Sequence, residues 1–389
     1  MITLIRGGEV FAPEPLGRKD ILIAGGRIEA VAEPGQLGID GLAAEAVDAT
    51  GRKVLPGLVD PHVHILGGGG EGGPATRAPE IRIEDIVAAG VTTVIGCLGT
   101  DGITRHMTSL LAKARALEIE GVTTFIYAGS YDVPVRTLTG SVRSDLVLID
   151  KVIGAGEIAV SDHRSSQPVF DEIARLAAEC RVGGMLGGKA GVLHLHLGDG
   201  RRGLEFLFRL IHETEIPVTQ VIPTHLSRNR ALFEQGLEWV AAGGTIDVTV
   251  GPDPVPDDPD VRFEDVLEAF GRRGLPLARI TASSDGNGSM PVFDAAGRLE
   301  RLTIASEKDL LRKLREVVRS GLLTLETAAR VFASNAADFY KLDRKGRIEP
   351  GRDADLIILD GDLGLVDVFA RGRHMMAGGR LLVRGTFSA

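Results

Sequence analysis

From residue 58 to residue 321 the chain repeats one pattern: a short apolar run, then a segment long and amphipathic enough for a helix. The runs that read as strands are LVDPHVHI (58–65), VTTVIGCLGT (91–100), VTTFIYAGSY (122–131), EIAVSDHR (157–164), VLHLHLGD (192–199), VIPTHLSR (221–228), TIDVTVG (245–251) and ARITASSDG (278–286). Helical patterns such as ITRHMTSLLAKARALEIEG and RFEDVLEAFGRRG lie between them, several ending in the glycine that commonly stops a helix. Parallel strands need such crossovers. Eight strand–helix units over about 280 residues match the size of a (β/α)8 TIM barrel, an α/β fold. The competing architecture is a doubly wound open sheet. It would want a phosphate-binding turn of GxGxxG form opening a helix, and GGGG at 67–70 lacks that form.

The two ends look alike. KDILIAGGRIEAVAEPG (19–35) and RHMMAGGRLLVRGTF (373–387) each flank Gly-Gly with β-rich runs, the pattern of a tight hairpin. Lone hairpins are marginal in water. Both ends are therefore expected to pair into one small β-sandwich, residues 1–56 with 345–389, flanking a catalytic barrel over 57–344.

Composition removes several function classes. A net charge of −9 with no lysine/arginine run argues for no nucleic acid partner. No apolar stretch reaches about 18 residues, so no membrane span is expected. Cys97 and Cys180 are the two cysteines, in no Cys-x-x-Cys spacing, and make no disulfide framework. MITLIRGGEVFAPEP meets charge too early for a signal peptide, so a cytoplasmic protein is expected.

Chemistry in a barrel collects at the C-terminal ends of the strands. There the sequence puts His62 and His64, then Tyr131, Glu157 with SDHR, His194 and His196, His225, and Asp285. Residues i and i+2 of a strand share a face, so His62 and His64 look at one point. Six of the nine histidines lie within or just after strands. A cluster of imidazoles and carboxylates suits zinc or a similar divalent metal. Asp285, ending the last strand, reads as ligand and base. The blander reading, a hydrogen-bonded core or surface histidine, suits His194, His106, His212 and His374; His163 reads as a residue that orients a neighbour.

A His-x-His after the first strand, single histidines after the fifth and sixth and an aspartate after the eighth resemble the amidohydrolase superfamily. HVHILGGGGEGGPATRAPE, CLGTD, TGSV, VSDHRSS, RVGGMLGGKAG, PTHLSRN, GGTIDVT and SSDGNGS, in that order, narrow the resemblance to the isoaspartyl (β-aspartyl) dipeptidases. The resemblance implies metal ligands His62, His64, His196, His225 and Asp285. It implies Glu71 as partner of the substrate's α-ammonium, with Thr100 and Ser289 holding the isoaspartyl head. Arg164 and Arg228 would grip carboxylates, and Tyr131 would polarise the scissile carbonyl. It further implies two Zn2+ per subunit and a homo-oligomer. The implied reaction is hydrolysis of a β-linked amide in a small peptide substrate by metal-held hydroxide, Asp285 moving the proton. The rivals are another amidohydrolase activity, on cyclic amides or N-acyl amino acids, and a non-catalytic scaffold.

One position departs from the family pattern. Relatives place a carboxylated lysine in the fourth strand as a bridge between two metals. Counting back from SDHR, the matching residue is Glu157, in a stretch one residue longer than usual. Its carboxylate is about three bonds nearer the backbone, some 3–4 Å. Glu157 is therefore expected to be the bridging ligand, which puts metal count and spacing in question. The bland alternative is a glutamate that starts the strand and faces solvent, and the nearest lysine is Lys151, expected on the preceding helix.

Overall fold

The computed structural model of the chain describes residues 2–251, 260–294 and 296–388. Eight parallel strands carry the middle of the chain: β1 (Leu58–Val63), β2 (Val91–Gly96), β3 (Thr123–Ala128), β4 (Val152–Val160), β5 (Val192–Leu197), β6 (Val221–Thr224), β7 (Ile246–Thr249) and β8 (Ile280–Ser283). The first six form one ladder in chain order, and β7 pairs with β8 in a second. β7 lies beside β6 and β8 beside β1. The Thr224 hydroxyl donates to Asp247 across the first seam at 2.8 Å, and Val63 bridges Gly286 across the second.

A helix follows each strand: α1 (Ile83–Ala88), α2 (Met107–Glu120), α3 (Val142–Leu148), α4 (Phe170–Gly187), α5 (Glu205–Glu213), α6 (Arg230–Ala241), α7 (Phe263–Arg273) and α8 (Lys308–Arg319). Helix α7 shows why. Phe263, Val266, Leu267 and Phe270 fall at i, i+3, i+4 and i+7 and are buried. Gly274, at φ 63°, closes the helix in the left-handed conformation. On one side of these strands, Val59, Ile95, Tyr127, Ile153, Val192 and Ile222 pack against Ala333, Ala337 and Tyr340 from the C-terminal helical stretch. The site therefore has an apolar floor.

Strand β4 begins five residues before the sequence signal suggests, so Glu157 lies inside it and not at its start. Gly154 and Gly156 hide the strand, since glycine weakens β propensity. Both are required by close packing on β5. A Cβ on Gly154 would lie 2.5 Å from the Val192 carbonyl oxygen, and one on Gly156 would lie 2.8 Å from His194 Cβ. Lys151 sits in the turn before β4, not on helix α3, and its ammonium donates to the Thr124 carbonyl.

The two chain ends share one nine-stranded ladder. Its middle strand, Ile2–Phe11, pairs antiparallel with Pro15–Ala24 along one edge. Along the other it pairs in succession with Ala44–Asp48 and with Lys53–Pro56. Lys53–Pro56 then pairs with Leu356–Leu359, which joins the C-terminal strands to the N-terminal ones. Both Gly-Gly pairs form hairpin turns at positive φ, although the last hairpin's second arm is only Arg380–Leu381. The hairpins expected at the two ends are thus joined in one continuous ladder, because residues 53–56 offer an edge to both. Ile5, Val10, Ile21, Val54, Ile358 and Phe369 give this unit its own core.

His374 fastens that unit. Its ring lies 2.8 Å from Glu45 and 3.1 Å from Asp367, stacked on Phe369, while Arg52 also reaches Asp367. Burial pulls the imidazole pKa down, but the hydrogen bonds to Asp367 and Glu45 outweigh it and the net shift is upward. A folded-state pKa above the unfolded value means stability present below the unfolded pKa, about 6.5, and lost as pH rises through the folded one. His374→Gln should therefore lower Tm most at mildly acidic pH, and the difference should shrink in alkaline buffer. A Tm difference independent of pH would show that the charge on His374 contributes nothing.

Candidate active site

The strand ends converge on a cleft whose lining includes His64, Tyr131, Glu157, Arg228, Asp285 and Ser289. Glu157 is its centre. It is 1% exposed. Oε1 lies 3.4 Å from His64 Nε2. Oε2 lies 3.0 Å from His196 Nδ1 and 3.5 Å from both His62 Nε2 and His225 Nε2. The four histidines and Glu157 anticipated as ligands are thus brought together, and the solvent-facing alternative for Glu157 does not describe this structure. Asp285 joins them, with Oδ1 3.1 Å from His64 Nε2 and 3.5 Å from His62 Nε2.

Three of the imidazoles are held by a second nitrogen. His62 Nδ1 meets His194 Nε2 at 2.8 Å, and the His194 ring stacks on Tyr127. His196 Nε2 meets Asp162 at 2.9 Å, and His225 Nδ1 meets the Thr249 hydroxyl at 2.7 Å. Partners of this kind fix the tautomer and leave the other nitrogen for a metal. His225 and Asp285 both have positive φ, 62° and 52°, sparsely populated backbone of the sort that clusters at functional sites. Beneath them Asp60 accepts from the His62 and Ser284 backbone amides and ties β1 to β8. Burial pushes its carboxyl up to about 7.

The electrostatics ask for a cation. Burial alone would raise the Asp285 pKa, yet the neighbouring histidines, His64 first, hold it down at about 2. Burial likewise opposes ionisation of Glu157, but His62 and His196 hold it well below the carboxylate range. The buried atoms His62 Nε2 and Asp285 Oδ1 have no hydrogen-bond partner. Two groups of donor atoms, each within 4.8 Å of one another, share Glu157: His62, His64, Cys97 and Glu157, and Glu157, His196 and His225. Imidazole nitrogen with carboxylate oxygen is a donor set for a divalent transition metal, so these residues fit the ion that the superfamily's chemistry implies.

Around this cluster sit the residues expected to read substrate. Glu71 Oε1 accepts from the Thr100 hydroxyl at 3.3 Å and the Ser289 hydroxyl at 2.7 Å. Its second oxygen is buried and unpartnered. Tyr131 OH lies 2.9 Å from His196 Nδ1, and burial raises its pKa well above normal, so it stays protonated and able to donate. Arg228 lines the cleft with Nε unpartnered. Arg164 is placed differently. It makes a two-pronged pair with Asp162 at 3.0 and 2.7 Å and lies 3.6 Å from Glu71. Two nitrogens of its fork, Nε and Nη2, are thus engaged by the protein. His163 is exposed and meets Phe293 edge-on, outside the cluster.

Sequence reasoning misses three residues here: Cys97, Asp60 and Arg105. Arg105 is 5% exposed and donates to the carbonyls of Leu66, Gly68, Gly69 and Ala78, across the glycine-rich loop that carries Glu71. The sequence pattern includes it in a helix, whereas α2 begins at Met107.

Comparison with known proteins agrees with this geometry. Residues 224–380 match the Amidohydrolase family. An adenine deaminase of Halalkalibacterium halodurans is 24% identical over an alignment of 397 positions that covers 98% of this chain, and the chain spans 58% of the length of that relative. A dihydropyrimidinase structure from Brevibacillus agri is 17% identical with a TM-score of 0.68, covering 99% of this chain and 97% of that one, and shows a shared barrel-type α/β fold. The structure of a β-aspartyl dipeptidase from Fervidobacterium islandicum AW-1, in complex with β-Asp-Leu, is 48% identical with a TM-score of 0.91, covering 98% of both chains. With that identity over nearly the whole of both chains, this chain belongs to the β-aspartyl dipeptidases of the amidohydrolase superfamily.

Proposed function

We propose that this chain is a metal-dependent dipeptidase that hydrolyses the β-aspartyl amide bond, as its relative's bound β-Asp-Leu suggests. The observation that carries the reading is Glu71: a nearly buried carboxylate beside the metal-binding cluster, with one oxygen held by two hydroxyls and the other without a partner. An α-ammonium next to the scissile bond supplies that partner. A neutral cyclic amide would leave it, and the unpartnered Nε of Arg228, unmet.

Two zinc ions, held by His62, His64, Glu157, His196, His225 and Asp285, would lower the pKa of a nearby water to about 7 and polarise the carbonyl. The remaining roles belong to the chain. Glu71, Thr100 and Ser289 seat the isoaspartyl head. Arg228 offers its planar fork to a substrate carboxylate. Tyr131 donates to the carbonyl oxygen as negative charge develops there. Asp285, kept ionised by the histidines around it, accepts the water's proton and passes it to the leaving amine. Arg164, braced by Asp162, orients Glu71 and His196.

On this reading residues 57–344 make a closed (β/α)8 barrel, and residues 1–56 with 345–389 a β-sandwich. The protein is a cytoplasmic homo-oligomer acting on small peptides. The separate core of the end unit supports the division into two units, and two buried free cysteines fit a reducing compartment. The test is hydrolysis of β-Asp-Leu against α-Asp-Leu: rapid cleavage is expected of the first and little of the second. Equal rates, or activity on cyclic amides alone, would sink the assignment. Glu71→Gln should raise KM for β-Asp-Leu by roughly 10–100-fold, the weight of about 1.5–3 kcal/mol for a charged hydrogen bond. An unchanged KM would place the ammonium elsewhere. A purified protein without metal would favour the scaffold reading.

A further inference from the structure

Cys97 follows directly on β2, and its backbone amide donates to the Val63 carbonyl at 3.0 Å. Val63 lies between His62 and His64, so the backbone clamps the cysteine against the histidine pair. The residue is 1% exposed. Its thiol has loose neighbours only: the Val63 carbonyl oxygen at 3.6 Å and His64 Nδ1 at 3.9 Å. Its sulfur is one of the four donor atoms, with those of His62, His64 and Glu157, that lie within 4.8 Å of one another.

A second observation points at the same space. His62 Nε2 is fully buried and has no hydrogen-bond partner, while its Nδ1 is engaged by His194. Asp285 Oδ1, also unpartnered, faces both histidines of the pair. The competing account makes Cys97 a small apolar filler, since it also packs with Val59, Ile95 and Tyr127. That account explains its burial. It does not explain why its sulfur lies among donor atoms of two imidazoles and a carboxylate, one of which, His62 Nε2, is buried without a partner. Cys180 shows the plain case: it sits on α4 in the aliphatic core with Ile173 and Ala177.

We infer that Cys97 is a sulfur ligand to the ion held by His62, His64 and Glu157. Resting on the metal-centre reading above, the inference makes the two halves of the centre chemically unlike. One half offers sulfur, two nitrogens and oxygens of Glu157 and Asp285; the other, at His196 and His225, offers two nitrogens and the Glu157 oxygen. On binding, the Cys97 S–H bond breaks, a metal–sulfur bond forms and the proton leaves to solvent. Thiolate selects softer ions, so the first half should prefer zinc, cobalt or cadmium to magnesium or manganese. A thiolate on β2 also supplies ligation and negative charge alongside the short reach of Glu157.

The test is the cobalt-loaded full-length protein, measured by absorption and by metal content, with β-Asp-Leu hydrolysis followed on the same samples. A sulfur-to-cobalt charge-transfer band in the near ultraviolet is expected. Cys97→Ser and Cys97→Ala should abolish it and weaken binding of one ion by at least roughly 10–100-fold. Cys180→Ser should keep the band, and circular dichroism of each variant checks its fold. Bound cobalt without the band, or a band that survives Cys97→Ser, overturns the inference. A band lost in the Cys97 variants from a protein that cleaves no β-aspartyl peptide would uphold the ligand and overturn the substrate. A chain that binds no cobalt overturns both.

Discussion

Asp285→Asn is expected to lower kcat for β-Asp-Leu by roughly 10²–10⁴, the range for loss of a general acid–base group, while leaving the fold intact. Asparagine is the right probe because residue 285 has φ 52°, and asparagine tolerates the left-handed region better than other non-glycine residues. It keeps the side chain's shape beside His64 and His62, 3.1 and 3.5 Å away, and removes only the charge and the proton-accepting capacity. Steady-state kinetics and thermal unfolding on one preparation separate the outcomes. A variant with near-normal turnover would mean the base lies elsewhere. A large fall in Tm would mean that Asp285 holds the loop after β8 and that lost activity reports misfolding.

The second large effect is expected at Glu157. Its carboxylate lies within 3.0–3.5 Å of four imidazoles, and its two oxygens face different sides of the cluster. Glu157→Gln keeps the size and removes the charge. If Glu157 bridges two divalent ions as proposed, a neutral amide cannot offset their charge, so most bound metal and most activity should be lost together. Metal content after gel filtration reads the first and β-Asp-Leu hydrolysis the second. The native glutamate also carries its carboxylate already, since an unperturbed glutamic acid ionises at about pH 4.3. Reconstitution with zinc should therefore run equally fast with or without bicarbonate. A bicarbonate requirement would point to a carboxylated lysine. Lys151, bonded to the Thr124 carbonyl and paired with Glu118, is engaged away from the cluster. Full metal content in Glu157→Gln would show that the bridge is made without it.

Much of this is legible in the sequence because the relevant signals are local and periodic. His62 and His64 share a strand face whatever else the chain does, and the alternation of strand and helix survives errors of a few residues at every boundary. Counting back from SDHR finds Glu157 but misplaces the start of its strand: Gly154 and Gly156 carry no β signal, and their need is set by β5, across the sheet. What stays hidden depends on approach in space. Cys97 has no ligand spacing in sequence and becomes a candidate only once Val63 is beside it. Asp60 reads as one polar residue in an apolar run until Ser284 is brought to it. That Asp162, two residues back, holds two nitrogens of Arg164, a residue expected to face substrate, likewise emerges only in space.

Arg105 bears on how a peptide gets in. One guanidinium satisfies four carbonyls of the segment from Leu66 to Ala78, so the ordering of that segment belongs to folding and not to the encounter with substrate. A receptor shaped in advance loses little entropy on association. Discrimination then falls on individual side chains along a fixed rim. A change at residue 71 acts on one contact of that rim, whereas a change at 105 removes the bonds that hold the segment carrying it.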